Sequence, residues 1–286
     1  MTVTNQELED HICTWDDFMA HSLVKSALTD SRSFLLFRGQ ADAELNLCPS
    51  LLVAVREAVC IDPTKVIPTK TALAFEEAAR KEFEAQAHLY FGPAFSSTTP
   101  TNVHWWMHMQ HYGTPTRLLD WTRSPFVAAY FACEKHPGRD GAVWAFDVRI
   151  DNFSMPLSFR KISSAAERSS IHRLFENPLA DRKLCFLNTG LRNERMVAQQ
   201  GVFMLSYNVA VEHDQILREI ISSEPKNIDK CRKLRIAANL KTRMIHSLLA
   251  MNINARSLFP GIDGLGKSVA EMVRFDAFPG NRTRPW

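Results

Sequence analysis

From Gln110 to Ala132 the chain reads Gln-His-Tyr-Gly-Thr-Pro-Thr-Arg-Leu-Leu-Asp-Trp-Thr-Arg-Ser-Pro-Phe-Val-Ala-Ala-Tyr-Phe-Ala, more polar chemistry than a plain connection between core elements needs. Gly113 ends a helical pattern, and Thr114-Pro115 forces a turn, because proline fixes its own φ and restricts the residue before it. Leu118 and Leu119 are then expected to enter the core, with Arg117, Asp120 and Thr122 close together. Ser124-Pro125 is a strong helix start, with a side-chain acceptor at the cap and a proline at the first helical position. The helix runs from Pro125 to about Glu134. Its N-terminus, with Arg117 and Arg123 near in sequence, is a natural seat for a phosphate or carboxylate. The plainer reading is that Arg117 and Asp120 pair and tie down a buried turn.

Four further groups could do chemistry. His104, His108 and His111 fall at spacings of four and three and can share a helix face as metal ligands do, but no carboxylate or cysteine accompanies them, so no metal is expected. His111 with Tyr112 suits a cleft as a hydrogen-bonding or stacking pair, or else a satisfied histidine at a helix end. The segment Lys226 to Arg243 sets Lys226, Lys230, Arg232, Lys233, Arg235, Lys241 and Arg243 against Asp229 alone. Such a cluster could follow a nucleic-acid backbone or simply be a solvated face. Trp105, Trp106 and Trp121 could stack on bases or nicotinamide, or pack in the core.

Four motifs carry a family resemblance. Phe37-Arg38-Gly39-Gln40, the stretch Gln110 to Ala132, Arg195-Met-Val-Ala-Gln-Gln-Gly-Val-Phe203 and Ser257-Leu-Phe-Pro-Gly-Ile-Asp-Gly264 together resemble the FRG-domain family, over roughly residues 33 to 266. The order of these motifs is in turn similar to ADP-ribosyltransferases of the arginine-first class. There an arginine on the first strand contacts NAD, a Ser-Thr-Ser segment supports the nicotinamide pocket, and a later glutamate aligns the ribose. The resemblance implies that Arg38 holds a phosphate of NAD and that Thr122 and Ser124 line the pocket, with the Pro125 helix behind. It extends the cofactor site to Gly39, Gln40, His111, Tyr112, Arg117 and Gln199.

The third motif departs from that pattern. Counting back from Gly201, the transferase glutamate position holds Arg195, with Glu194 beside it. A developing ribosyl cation wants a carboxylate near the sugar, and an arginine there opposes it. Either Glu194 serves through a one-residue shift, or Asp120 serves from the second motif, or the pocket has lost the chemistry. On a strand, Glu194 and Arg195 could not both face the cleft. Arg38, Asp120 and Glu194 are therefore the catalytic candidates.

The elements that must position these residues read as an α+β domain. A capping box at Thr14 and Asp17 starts a helix to about Ala27, and Ser33 to Arg38 reads as a buried strand that delivers Arg38 to an edge or cleft. Pro49 to Val59 suits a short helix, Pro63 and Pro68 mark a loop, and Thr71 to Phe91 is a long helix stopped by Gly92-Pro93. Its apolar stripe is Leu73, Phe75, Ala79, Phe83, Ala87 and Tyr90. Asn102 to Tyr112 is another helix. Strands are expected at Gly141 to Val148, Leu184 to Leu187, Val202 to Tyr207 and, half-exposed, Lys233 to Ile236. Leu240, Met244, Leu248 and Met251 form a helical stripe. One domain over residues 1–286 is expected, an ADP-ribosyltransferase-like split mixed or antiparallel sheet with decorating helices, the N-terminal helix and C-terminal tail being extensions.

Composition bounds the function. The 286 residues are 45% apolar and 23% charged with net charge +3, ordinary for a folded protein and too weakly basic to imply nucleic acid or membrane by itself. No apolar run of about eighteen residues and no secretory start occurs, so a cytoplasmic protein without a membrane partner is expected. Cys13, Cys48, Cys60, Cys133, Cys185 and Cys231 lack any C-x-x-C pairing, which argues for reduced, mostly buried thiols. Serine-hydrolase, P-loop and Rossmann motifs are absent. The resemblance implies an NAD-using ADP-ribosyltransferase-like effector, a toxin or anti-phage factor, acting on a protein or nucleic acid and controlled by an antitoxin or a phage trigger protein. The alternative is a module that binds a nucleotide or phage protein without turnover.

Overall fold

The computed structural model describes residues 3–4, 6–30, 33–59, 62, 66–91, 102–149, 154–158, 184–188 and 193–275. Pro63, Gly92, Pro93 and Cys60 lie outside the described residues. Among the described residues, eight strands form one mixed sheet: β1 (Glu9–Ile12), β2 (Leu35–Gln40), β3 (Leu118–Thr122), β4 (Gly141–Asp147), β5 (Ser154–Ser158), β6 (Leu184–Asn188), β7 (Gly201–Ser206) and β8 (Cys231–Ile236). Their spatial order is β1-β8-β4-β2-β3-β7-β6-β5. The two outermost pairs, β1 with β8 and β5 with β6, are parallel, and the inner pairs are antiparallel.

The helices follow the sequence expectations with instructive differences. Thr14 and Asp17 form the expected capping box, but the helix breaks at His21 (ψ 132°) into α1 (Trp15–Ala20) and α2 (Ser22–Thr29). The N-terminal segment is no appendage, since β1 extends the sheet beside β8. Helices α3 (Ser50–Ala58), α4 (Thr69–Ala87), α5 (Asn102–His111) and α6 (Pro125–Cys133) match the expected elements. In α4 the buried positions are Ala72, Glu76 and Ala87, whereas Phe75 is exposed, so the expected stripe is rotated towards a buried acid. At the end of α5, Gly113 takes φ +83° and the Thr114 N–H bonds the Met109 carbonyl at 2.8 Å, the glycine-type termination expected there.

Two local readings fail. Leu118 to Thr122 is a central strand rather than part of a turn, because pairing with β7 over five positions satisfies its backbone. Leu118 and Leu119 are buried as expected, on opposite faces. Glu194 and Arg195 belong to a helix, α7 (Glu194–Ala198), capped by Asn193, whose side chain accepts the Met196 N–H. The remaining helices are α8 (His213–Ser223), α9 (Lys241–Ala250), α10 (Ala255–Leu258) and α11 (Ile262–Arg274).

Alternation along the strands sorts the core into layers. Leu35, Phe37, Val143, Ala145, Leu234 and Ile236 face α6, α9 and the α1–α2 pair, while Leu36, Trp121, Trp144 and Phe146 face α8. Helix α6 approaches the sheet closely enough to exclude side chains. A Cβ on Gly39 would lie 2.0 Å from the Ala128 carbonyl oxygen, and one on Gly141 would lie 2.3 Å from that of Ala132. Lys241, fully buried, donates from Nζ to the carbonyls of Ala41, Lys135 and His136 at 2.6 to 3.0 Å, fastening α9 to the turn after α6. A Gly39→Ala protein is expected to lose about 3 kcal/mol of stability in urea unfolding, since the obstacle is backbone that cannot rotate away. An unchanged midpoint and slope would show that α6 can lift off.

Candidate functional site

The centre of the sheet carries a seam. Strands β2 and β3 share a single register pair, Phe37 with Thr122, whereas β2 pairs with β4 at six positions. Where the strands part, Arg38 bridges them, its Nη1 donating to the Asp120 carbonyl at 2.5 Å. Burial pulls the Arg38 pKa below its usual value, with the nearby Asp120 charge opposing that fall. Over this seam opens a pocket of about 460 Å³, within the size range of small-molecule sites.

All four sequence motifs line this pocket. Phe37, Arg38 and Gly39 come from the first, Asp120, Trp121, Thr122, Tyr130 and Phe131 from the second, Arg195 and Gln199 from the third, and Phe259 from the fourth. Thr122 ties two of them together, its hydroxyl donating to the Gln199 carbonyl at 2.7 Å while accepting the Ser124 N–H at 3.0 Å. Gln199 Nε2 reaches the Leu258 carbonyl at 3.1 Å, drawing the fourth motif in. Gly264 lets α11 turn back on α10, since a Cβ there would meet the Phe259 carbonyl oxygen at 1.7 Å.

The far wall was missed by sequence reasoning. Lys267, Ala270, Glu271 and Arg274 of α11, with Glu134 and Lys135 after α6, complete the lining. Positions 267, 271 and 274 share one helix face by their spacing, which is the signal that could have found them. Glu271 accepts the Tyr130 hydroxyl and, at 3.0 Å, the Ala255 N–H. Arg274 donates to the Glu134 carbonyl. The Lys267 ammonium sits 3.6 Å from the Phe259 ring centroid and the Arg195 guanidinium 4.9 Å from it, so one aromatic face system holds two cations at the mouth. Burial pushes the Glu134 pKa up. Burial likewise raises that of Tyr130, helped by its bond to Glu271. The lining carries five basic residues, Arg38, Lys135, Arg195, Lys267 and Arg274, against three acids, Asp120, Glu134 and Glu271. An anion is the better-matched occupant.

Of the expected cofactor residues, Arg38, Gly39, Thr122 and Gln199 reach this pocket, and so does the catalytic candidate Asp120. Gln40 does not line it. It accepts the Trp144 indole N–H at 2.7 Å and donates to the Asn46 carbonyl at 3.1 Å. Arg117 does not pair with Asp120. It is 1% exposed, clamps Glu76 of α4 through Nε at 2.6 Å and a second bond from Nη2, and lies 4.6 Å from the Trp106 ring centroid. Asp120 instead accepts Gln110 Nε2 at 2.8 Å. Ser124 is spent as the α6 cap, accepting the Val127 N–H. It is the carboxyl end of α6, through Tyr130 and Phe131, that lines the pocket, so the positive end of that helix is not the anion seat. Glu194 is exposed outside the pocket, and Arg195 faces it.

The other candidates go elsewhere. The His111 and Tyr112 rings meet edge to face at 4.7 Å, and Tyr112 lines a separate apolar cavity with Phe83, Ala87, Tyr90 and Phe91. Burial lowers the pKa of His104, His108 and His111, with Arg195 adding to the fall at His111. Among the described residues no three His, Cys, Asp or Glu side chains are grouped to hold a metal. Trp105, Trp106 and Trp121 are all buried, so none offers an open stacking face. The basic run from Lys226 is dispersed: Arg232 pairs with Asp10, Lys233 and Arg235 with Glu9, and Lys241 is the buried fastener of α9. It makes no continuous cationic track.

Residues 33–140 match the FRG domain family model. The FRG match thus covers the first two motifs, with β2, β3, α6 and the pocket floor. The third and fourth motifs lie beyond it in sequence yet meet the FRG segment at the same pocket. No curated protein and no solved structure matches the chain. Among the described residues no helix is long and apolar enough to cross a membrane.

Two measurements follow from these placements. Glu76→Leu leaves the Arg117 cation buried without its carboxylate and is expected to cost about 3–5 kcal/mol in urea unfolding, with Arg117→Leu added to it recovering part of the loss. A mild Glu76→Leu effect would remove Arg117 from its structural role. His213 is fully buried, neither ring nitrogen finds a hydrogen-bond partner among the described residues, and burial, then Arg38 and Arg117, pull its pKa from 6.5 to about 3. A folded-state value below the unfolded one means stability is full above about pH 6.5 and falls as pH drops towards 3. The difference between wild-type and His213→Leu unfolding energies should therefore shift by roughly 2 kcal/mol between pH 7 and pH 5, against wild type. A pH-independent difference would contradict it.

Proposed function

We infer that the pocket binds NAD and that the chain is an ADP-ribosyltransferase-like effector that uses NAD as substrate. The observation that carries this reading is the meeting of four sequence-distant motifs at a cationic pocket over a sheet seam, with Arg38 at its floor. Arginine suits a diphosphate because its charge is permanent and its donors are forked. The parting of β2 from β3 supports the reading too, since it makes the central cleft that a split sheet requires. The half-buried Phe131 ring supplies apolar surface for a base or nicotinamide. The effector role, as toxin or anti-phage factor with a protein or nucleic-acid target, extends the family resemblance.

A second reading, binding without turnover, is favoured by one specific feature. Arg195 faces the pocket where the transferase pattern has a glutamate, and Glu194 is exposed outside it. Purified protein incubated with NAD labelled in the adenosine and nicotinamide moieties separates the two. Released nicotinamide, with label transferred to a macromolecule or left as free ADP-ribose, supports the enzyme. Saturable NAD binding without release supports the binding module, and neither binding nor release removes NAD from the account. Arg38→Ala is expected to weaken NAD binding roughly 10- to 100-fold by titration calorimetry, the loss of a charge-assisted contact. An expressed protein whose toxicity survives both Arg38→Ala and Asp120→Ala would place the active site elsewhere.

A further inference from the structure

The NAD reading needs a negative group beside the ribose, and the third motif does not supply it. Three acids line the pocket, and they differ in what surrounds them. Asp120 is exposed, bonded to Gln110, and lies against the Arg38 cation, which offsets its charge. Glu134 caps the carboxyl end of α6, where the helix dipole is already negative, and its neighbour Lys135 stands 3.5 Å away. Glu271 is 6% exposed and is gripped from two separate elements, by the Tyr130 hydroxyl of α6 and the Ala255 N–H that opens α10. A carboxyl group held by donors at both oxygens has its plane and position set in advance, the condition for electrostatic stabilisation without reorganisation.

We propose that Glu271 is the catalytic carboxylate of this pocket, stabilising the ribosyl cation formed as nicotinamide leaves, and that Tyr130 is the residue that positions it; the proposal rests on the NAD reading above. The C1′–N bond breaks with its electron pair passing to the nicotinamide nitrogen, which neutralises the pyridinium. The positive charge moves to C1′ and the ring oxygen, opposite Glu271. A target hydroxyl, or water, then adds its oxygen to C1′ and loses its proton to solvent. The carboxylate thus comes from α11, outside all four motifs, and Arg195 is left to serve the phosphates with Lys267 across Phe259.

A purely structural Glu271 would also bridge Tyr130 and Ala255, so the test uses a substitution that keeps an acceptor oxygen and removes the charge. For Glu271→Gln the expected result is a kcat for nicotinamide release about 100-fold below wild type, with KM for NAD within about threefold and an unchanged melting temperature. Tyr130→Phe, which frees one oxygen, should lower kcat about tenfold, again with little change in KM. A wild-type kcat in either folded variant overturns the assignment while leaving the NAD reading intact. A wild-type protein that binds NAD and releases no nicotinamide overturns the assignment together with the transferase reading, and leaves NAD binding standing.

Discussion

Helix α6 lies on the sheet at a distance that only glycine permits. Gly39 and Gly141 lie on the same face of the β2–β4 pair, Gly141 two residues from Gly39's partner Val143, and at both a Cβ would meet the carbonyl of an α6 residue. Close packing of this kind has no slack, so the helix cannot slide or rotate without a collision. Its start is set by Ser124, whose position Thr122 dictates at the end of β3, and its end is held by Lys241. With both ends and its height determined, Tyr130 and Phe131 must project over the seam. Every wall of the pocket refers back to that contact.

The same constraint explains why two arginines in one motif-bearing region have opposite fates. Arg38 lies on β2 and Arg117 immediately before β3, the two strands bordering the seam, and both are drawn inside by burial of their neighbours. Arg117 finds Glu76 and a tryptophan face, a neutralised and closed arrangement typical of a charge retained in a core. Arg38 donates to a backbone carbonyl across the seam, while the nearby Asp120 carboxylate is hydrogen-bonded to Gln110. It therefore contributes positive potential to the pocket, and the α11 cations add to it. The wall from α11 brings the opposing carboxylate, held rather than paired, a few residues from Lys267 and Arg274.

Much of the secondary structure was legible because its determinants are local. The Thr14 capping box, the Ser124-Pro125 start, the Gly113 stop and the apolar runs of β2, β4, β6 and β7 involve residues within a turn or one strand of each other. The failures share a cause. β3 looked like a turn because its strand character comes from being sandwiched between β2 and β7, not from alternation in five residues. Glu194 and Arg195 looked like strand residues because the strand starts only at Gly201, after a turn in which Gln200 takes φ +48°. The basic run from Lys226 looked exposed because its neutralising acids, Glu9 and Asp10, lie more than two hundred residues earlier on β1.

The sequence by itself determined which residues carry the chemistry of the four motifs and that Arg38 sits on a buried strand. It also determined the caps and breaks that start and stop the helices around them. Only the tertiary structure decided that the four motifs meet, that Arg117, Gln40 and Ser124 are structural, and that α11 supplies Lys267, Glu271 and Arg274. Capping, turning and amphipathic spacing act over a few residues and are written in order along the chain. The contacts that place these elements join residues 41, 59, 77 and 141 positions apart, Arg117 with Glu76, Gln199 with Leu258, Thr122 with Gln199 and Tyr130 with Glu271. Such pairings depend on strand order and helix placement, which no local pattern encodes.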